Sequence, residues 1–283
     1  MKFSECEFLL NSSRKVRGLV SEPQQEVLVG LHGYLDNAAS FLPLASFINQ
    51  FQLMLLDLPG HGRSDPISAQ EWGYNFFNQS LDMVELIEEQ YSGKKINLMG
   101  HSMGAGLSVL IASLLPGHIK KLVLLDNMGP MASPPTDIVT RMREFKKQLQ
   151  QSKEGKSVES LEEAVNLRVH SGVSKSLANL LAQRGVVEEN NKFRWNFDRR
   201  LQRTTPIRFT KEQVQTMIAS ISCPVLLFKA QNNWPEMSRF QEKHYLPYFK
   251  DIEVVSLSGG HYSHAEEPSP IGQKITKFLT EEN

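Results

Sequence analysis

The sequence predicts an α/β fold, with a mostly parallel sheet covered by helices on both faces and a helical insertion late in the chain. Three observations carry that reading. Short apolar runs alternate with longer amphipathic segments, the order that builds parallel sheets with right-handed crossovers. The runs are apolar at consecutive positions, as strands buried on both faces require. The alternation then lapses between about residues 128 and 221 and resumes afterwards.

The expected strands are residues 26–31 (EVLVGL), 52–58 (QLMLLDL), 95–99 (KINLM), 121–125 (KLVLL), 224–228 (PVLLF) and 252–257 (IEVVSL). Helix-like stretches occupy 39–49, 75–91, 103–115 and 268–279. Residues 3–10 and 14–20 read as an antiparallel lead-in. In the insertion, 136–151, 160–170, 174–184 and 210–220 have helical patterning, and Ser160-x-x-Glu163 has the form of a capping box. Polar and aromatic residues alternate in 192–197 (KFRWNF), as in a short hairpin or irregular turn. The expected division is a core of residues 1–127 and 222–283 carrying a helical cap at 128–221.

At 283 residues, folding buries roughly three quarters of the unfolded surface, so no disulfide or metal staple is needed. Lys plus Arg number 31 and Asp plus Glu number 31, which excludes the basic excess of a nucleic-acid or anionic-membrane binder. Cys6 and Cys223 lack disulfide-framework spacing and read as reduced, buried thiols. The first residues lack the basic start, apolar stretch and cleavage site of a secretory signal, and nowhere do 18 apolar residues run together. These features predict a cytoplasmic protein without a membrane span. Oligomeric state leaves no trace in the sequence.

The chemistry centres on residues 95–106, KINLMGHSMGAG. A buried strand, Gly100-His101-Ser102-Met103-Gly104 and a helix follow one another, the context that the G-x-S-x-G elbow requires. The sharp turn strains the serine backbone, and side chains two positions to either side would collide with neighbouring elements. The helix start also points free N–H groups and its positive end at Ser102.

A serine hydroxyl needs a base to become a nucleophile. His261 follows the last expected strand, in the loop LSGGHYSHAEEP, at the carboxyl edge where ligands bind in open α/β sheets. His264 reads as a pocket-lining or loop-packing residue; no third ligand accompanies the two for a metal. His61 and His101 flank turns and need no catalytic role, while His118, His170 and His244 read as helix-surface residues. For the acid that orients the imidazole, Asp126 ends strand KLVLLD and keeps the order Ser…Asp…His. The competing place, after the next strand, reads Gln231-Asn232-Asn233, with no carboxylate before Glu236, the reserve candidate. Backbone N–H groups of Met103 and of Tyr34, in the loop HGYLDN, are the expected oxyanion donors. His32 would hold that loop.

LHGY, DLPGHGRSD (57–65), GHSMGAG and GGHYSHAEEP, in this order and spacing, resemble the α/β-hydrolase superfamily over nearly the whole chain. LHGYLDNAASF and the NMGP segment after Asp126 are most similar to the serine hydrolase-like protein subgroup. The resemblance implies the α/β-hydrolase fold, with an eight-stranded sheet and a helical cap. It assigns Ser102 as nucleophile, His261 as base, and Tyr34 and Met103 as oxyanion donors. The family commonly places its acid after the seventh strand, here QNN; some members, certain haloalkane dehalogenases among them, use a carboxylate after the sixth, where Asp126 falls.

The resulting expectation is a serine hydrolase that forms an acyl-enzyme on a largely apolar, small to medium ester-like substrate, as a carboxylesterase or thioesterase does. Trp195, Phe193, Phe197, Trp234 and His264 are the expected pocket residues. No cofactor or metal is implied. Two alternatives stay open. One is a carbon–carbon bond hydrolase, which needs polar groups such as cap arginines for a second carbonyl or carboxylate. The other is a ligand-binding or sensor protein with little turnover.

Overall fold

The computed structural model describes residues 1–150, 157–231 and 233–281. Gln151, the last residue of one expected helix, and Asn232 of the QNN segment lie outside the described residues.

Eight strands form the main sheet: β1 (Phe3–Leu9), β2 (Lys15–Ser21), β3 (Val27–Leu31), β4 (Gln52–Leu56), β5 (Ile96–His101), β6 (Ile119–Leu125), β7 (Val225–Ala230) and β8 (Ile252–Leu257). Their spatial order is β1-β2-β4-β3-β5-β6-β7-β8. The β1–β2 and β2–β4 pairs are antiparallel and all others parallel, so the lead-in hairpin caps an otherwise parallel sheet. The consecutive apolar residues divide between the two faces. Leu122, Leu124, Val225 and Leu227 enter one core layer, while Val123, Leu125, Leu226 and Phe228 enter the other.

Helices α1 (Phe76–Gln90) and α2 (Met103–Leu114) cover the first face. The insertion contributes α3 (Ile138–Leu149), α4 (Leu161–His170), α5 (Lys175–Gly185) and α6 (Lys211–Ser220). After β7 come α7 (Pro235–His244) and, against the second face, α8 (Pro268–Thr280). A hairpin pairs Val186–Glu189 with Lys192–Trp195 through Asn190 and Asn191, whose φ values of 53° and 59° suit a tight primed turn.

Three local expectations are corrected. The helix expected at 39–49 is a 3₁₀ turn, Ala38–Phe41, followed by one helical turn, Leu42–Ala45. A continuous helix would need the Pro43 N–H to reach the Ala39 carbonyl, and proline has none; the Leu42 N–H takes that carbonyl instead. At α4 the Ser160 hydroxyl accepts from the Glu163 N–H, but the Glu163 carboxylate accepts from Glu159, so the box is half formed. The reciprocal box sits at Thr210 and Gln213 of α6. The third correction is α7, for which the sequence pattern assigned no element.

A buried ion pair ties the insertion to the sheet. Arg184 of α5 donates Nε to both oxygens of Asp57, at 3.0 and 2.9 Å, and Nη1 to Glu5 on β1. Asp57, fully buried, also accepts from the N–H groups of Ala38 and Arg63. Arg184→Met removes the cation and strands the carboxylate, which is expected to cost about 3–5 kcal/mol. At this chain length thermal unfolding should report a fall in Tm of roughly 6–20 °C; an unchanged Tm would show the pair to be dispensable. Cys6 and Cys223 are both free thiols, the first half-buried and the second buried. Among the described residues no helix is long and apolar enough to cross a membrane.

Candidate active site

Ser102 sits at the β5–α2 junction with φ 52° and ψ −112°, a conformation that L-residues rarely adopt. Its main chain holds it there. The Ser102 N–H donates to the Leu125 carbonyl at 2.9 Å, and its own carbonyl accepts from Gly106 N–H and from Asn127 Nδ2 at 2.7 Å. The two flanking glycines have separate steric causes. A Cβ at Gly100 would lie 2.4 Å from the Gly104 carbonyl oxygen, and one at Gly104 would lie 1.9 Å from that of Leu31. The turn therefore closes only with glycine on both sides of the serine.

His261 and Asp126 meet at the same sheet edge. His261 Nδ1 lies 2.6 Å from Asp126 Oδ2. Asp126 leaves β6 at φ 56°, and its Oδ1 accepts from the Ala230 N–H at 3.0 Å, so the end of β7 holds the carboxylate in place. Asn233 supplies a further contact. Its Nδ2 donates to Asp126 Oδ2 and lies 2.8 Å from His261 Nδ1. An amide thus occupies the place after β7 where the family resemblance leads one to expect an acid. Glu236 is exposed in the first turn of α7, and the carboxylate on His261 Nδ1 is that of Asp126.

Tyr34, Ser102, Met103 and Asp126 line one cleft of about 450 Å³. Met103 opens α2, where first-turn N–H groups have no intrahelical acceptor. The Tyr34 loop runs directly against the elbow, since a Cβ at Gly33 would lie 2.8 Å from His101 Nδ1. His32 holds that loop as expected: Nδ1 contacts the Gly33 carbonyl at 2.7 Å and Nε2 accepts from the Leu58 N–H at 3.0 Å.

Of the expected pocket residues, Trp234 lines the cleft and stacks on the His261 ring, with centroids 5.4 Å apart. The other four are placed elsewhere. Trp195 is buried among the apolar residues of α4 and α5, donating Nε1 to the Ala164 carbonyl. Phe193 belongs to the hairpin, and Phe197 packs beneath Arg199 and beside Leu201. His264 is buried behind the elbow, 4.1 Å from His101 between ring centroids. Trp195 and Phe197 belong to small apolar clusters apart from the two sheet cores.

Several contributors were given no role from the sequence. Asn127 steadies the elbow carbonyl, and Gln241 of α7 in turn donates to Asn127 Oδ1 at 2.6 Å. His101 lies 2.9 Å through Nε2 from the His261 carbonyl oxygen, so the elbow grips the His261 loop. Asp36, fully buried two residues beyond Tyr34, accepts from Arg168 of α4 and from Tyr262. Burial pushes the Asp36 carboxyl up, although Arg168 opposes it. Arg141, Arg203 and Arg208, all from the insertion, also line the cleft.

Burial drives the site's supporting histidines down: His32 to about 4, His264 to about 3, and His101 well below its ordinary value. Their folded-state values lie beneath the ordinary 6.5 of the unfolded chain. In acid the unfolded chain therefore binds more protons. Their stabilisation is present above about pH 6.5 and is lost as the pH falls toward 4 and 3. Calorimetric Tm should accordingly drop across that window; a flat profile would contradict the neutral, buried assignment.

Comparison with known proteins agrees with this fold. The family model described as alpha/beta hydrolase fold matches residues 26–268. A serine hydrolase-like protein of Dictyostelium discoideum is 25% identical, over 92% of this chain and 76% of its own length. Human serine hydrolase-like protein 2 is 27% identical, over 88% of this chain and 85% of its own. The crystal structure of a hypothetical protein from Pseudomonas aeruginosa PAO1 superposes with a TM-score of 0.86 at 28% identity, covering 99% and 100% of the two chains. With the sheet order, the elbow and a family match across most of its length, the chain belongs to the α/β-hydrolase-fold family.

Proposed function

We propose that the protein is a serine hydrolase that cleaves a carboxylic ester or thioester through an acyl-enzyme, beneath a cap formed by residues 128–221. Ser102 is the nucleophile, His261 the base and Asp126 the acid that orients it. The observation that carries the reading is the 2.6 Å contact from His261 Nδ1 to Asp126 Oδ2 beside a strained Ser102 elbow. An imidazole whose Nδ1–H donates to a carboxylate presents Nε2 as the proton acceptor.

In the first half-reaction His261 Nε2 takes the Ser102 hydroxyl proton as Oγ attacks the carbonyl carbon. The oxyanion develops against the N–H groups of Tyr34 and Met103, each worth about 3–4 kcal/mol of transition-state stabilisation. The tetrahedral intermediate collapses, the bond to the leaving alcohol or thiol breaks, and His261 returns its proton to that group. Water then attacks the Ser102 ester with His261 again as base, releasing the acid and restoring the hydroxyl. The relatives named serine hydrolase-like support this assignment.

A fluorophosphonate probe tests it. Stoichiometric labelling of the Ser102 peptide, accompanied by turnover on an ester and thioester panel, is the expected result. Folded protein that takes no label would overturn the reading and point to ligand binding without turnover.

A further inference from the structure

We infer that the substrate carries an anionic oxygen group, a carboxylate or a phosphate, held in the cleft by Arg141 and Arg208. The inference rests on the serine hydrolase reading for the position of the reacting carbonyl. The recognition argument itself stands on the arginines.

Outside the cleft the half-buried arginines pair with carboxylates, except Arg199, which lies over the Phe197 ring. Arg14 pairs with Glu71 and Asp82, Arg168 with Asp36, Arg184 with Asp57 and Glu5, and Arg200 with Asp198. The cleft departs from this pattern. Among the described residues, Arg141, Arg203 and Arg208 make no ion pair, although all three line the same cavity as Ser102. Among the described residues the one carboxylate lining it, Asp126, is engaged by His261 and Asn233. Lys229, also on the wall, pairs with Glu242.

Arg141 and Arg208 are the stronger pair. Arg141, on α3, donates Nη2 to the Thr205 carbonyl at 2.5 Å, which fixes the guanidinium, while its buried Nε has no partner. Arg208 is half-buried, and burial first and the neighbouring Arg141 charge second both pull its pKa down. Two cations on the wall of one cleft, without a carboxylate partner, repel each other until an anion enters the cleft. A carboxylate or phosphate relieves that repulsion and accepts the forked donors of both groups. Arg203 is tied by Nη1 to the Trp72 carbonyl at 2.9 Å and adds to the positive field of the cleft. Net charge does not explain the cluster, since the chain carries equal numbers of acidic and basic residues. The remaining wall includes Met103, Met128, Met131, Leu201 and Leu227, so the preferred substrate joins an apolar stem to a charged end.

The test compares mono-p-nitrophenyl adipate, which bears a free carboxylate, with its ω-methyl ester, and acetyl-coenzyme A with acetyl-pantetheine, which lacks the phosphates. Wild type should favour one anionic member over its neutral counterpart by about 10-fold or more in kcat/KM, and the pair that discriminates identifies the source of the anion. Arg208→Gln and Arg141→Gln should each bring that ratio most of the way to one, a loss of about 10-fold. Arg208→Lys, which keeps the charge but loses the fork, should restore part of it. Equal turnover of both members of each pair by wild type would overturn the inference, as would Gln variants that leave the ratio unaltered. If no ester is turned over and Ser102 takes no label, the hydrolase reading has failed separately. Titration calorimetry with adipate and with 3′,5′-adenosine bisphosphate then reads the arginine site directly. Binding of either, lost in Arg208→Gln, supports the inference; binding of neither overturns it.

Discussion

Ser102→Ala is expected to lower kcat on any substrate of this protein by on the order of 10⁶-fold while leaving the fold intact. The size follows from removing the atom that forms the acyl bond, so that only binding and the oxyanion donors remain. Preservation of the fold follows from how Ser102 is held. Its contacts to Leu125, Gly106 and Asn127 all use main-chain atoms, which alanine retains. Alanine also inherits the same strained φ of 52°. Far-ultraviolet circular dichroism and Tm matching wild type, with fluorophosphonate labelling gone, is the expected pair of results. Ser102→Gly separates strain from chemistry. It should be equally inactive yet at least as heat-stable as wild type, because glycine removes a steric cost of about 1–3 kcal/mol. Ester hydrolysis that survives Ser102→Ala undiminished would mean that the nucleophile lies elsewhere.

Asp126→Asn should lower kcat by about 10⁴-fold. Asparagine is isosteric and tolerates the left-handed conformation at φ 56°, and its carbonyl oxygen can still accept from the Ala230 N–H. The change is confined to the atom facing His261. An amide nitrogen there opposes the Nδ1–H and the Asn233 amide, donor against donor. The imidazole then turns to the tautomer with its proton on Nε2 and can no longer accept from Ser102. Glu236→Gln, at an exposed site in the first turn of α7, should leave kcat within about twofold, as surface changes do. Comparable losses in the two variants would reassign the acid.

Asn233 explains why the acid position was hard to read. In the sequence, QNN after β7 reads as a place without a carboxylate, which turned the choice to Asp126. In three dimensions the amide contacts both Asp126 and His261, so the place is filled by a group that orients rather than one that carries charge. The proposed acid has moved one strand inward, and the end of β7 has kept a supporting part.

The sequence by itself determined the sheet, the elbow and the chain order of the candidate residues, because these depend on local rules. Consecutive apolar residues demand a strand covered on both faces. G-x-S-x-G after such a strand demands a tight turn into a helix, and Gly100 and Gly104 are required by atoms within a few residues or on the adjacent strand. Only the tertiary structure decided what surrounds Ser102. The aromatic residues of the insertion looked like a pocket, yet Trp195 and Phe197 pack in small apolar clusters and Phe193 sits in the hairpin, since hydrophobic burial is non-directional and composition does not say which face of an insertion meets the core. Which arginines of residues 128–221 reach the cleft could not be read, for the converse reason. Arg141 and Arg208 lie 67 positions apart, and nothing in their neighbourhoods distinguishes them from surface arginines. The tertiary structure brings both to the cleft, where among the described residues neither has a carboxylate partner.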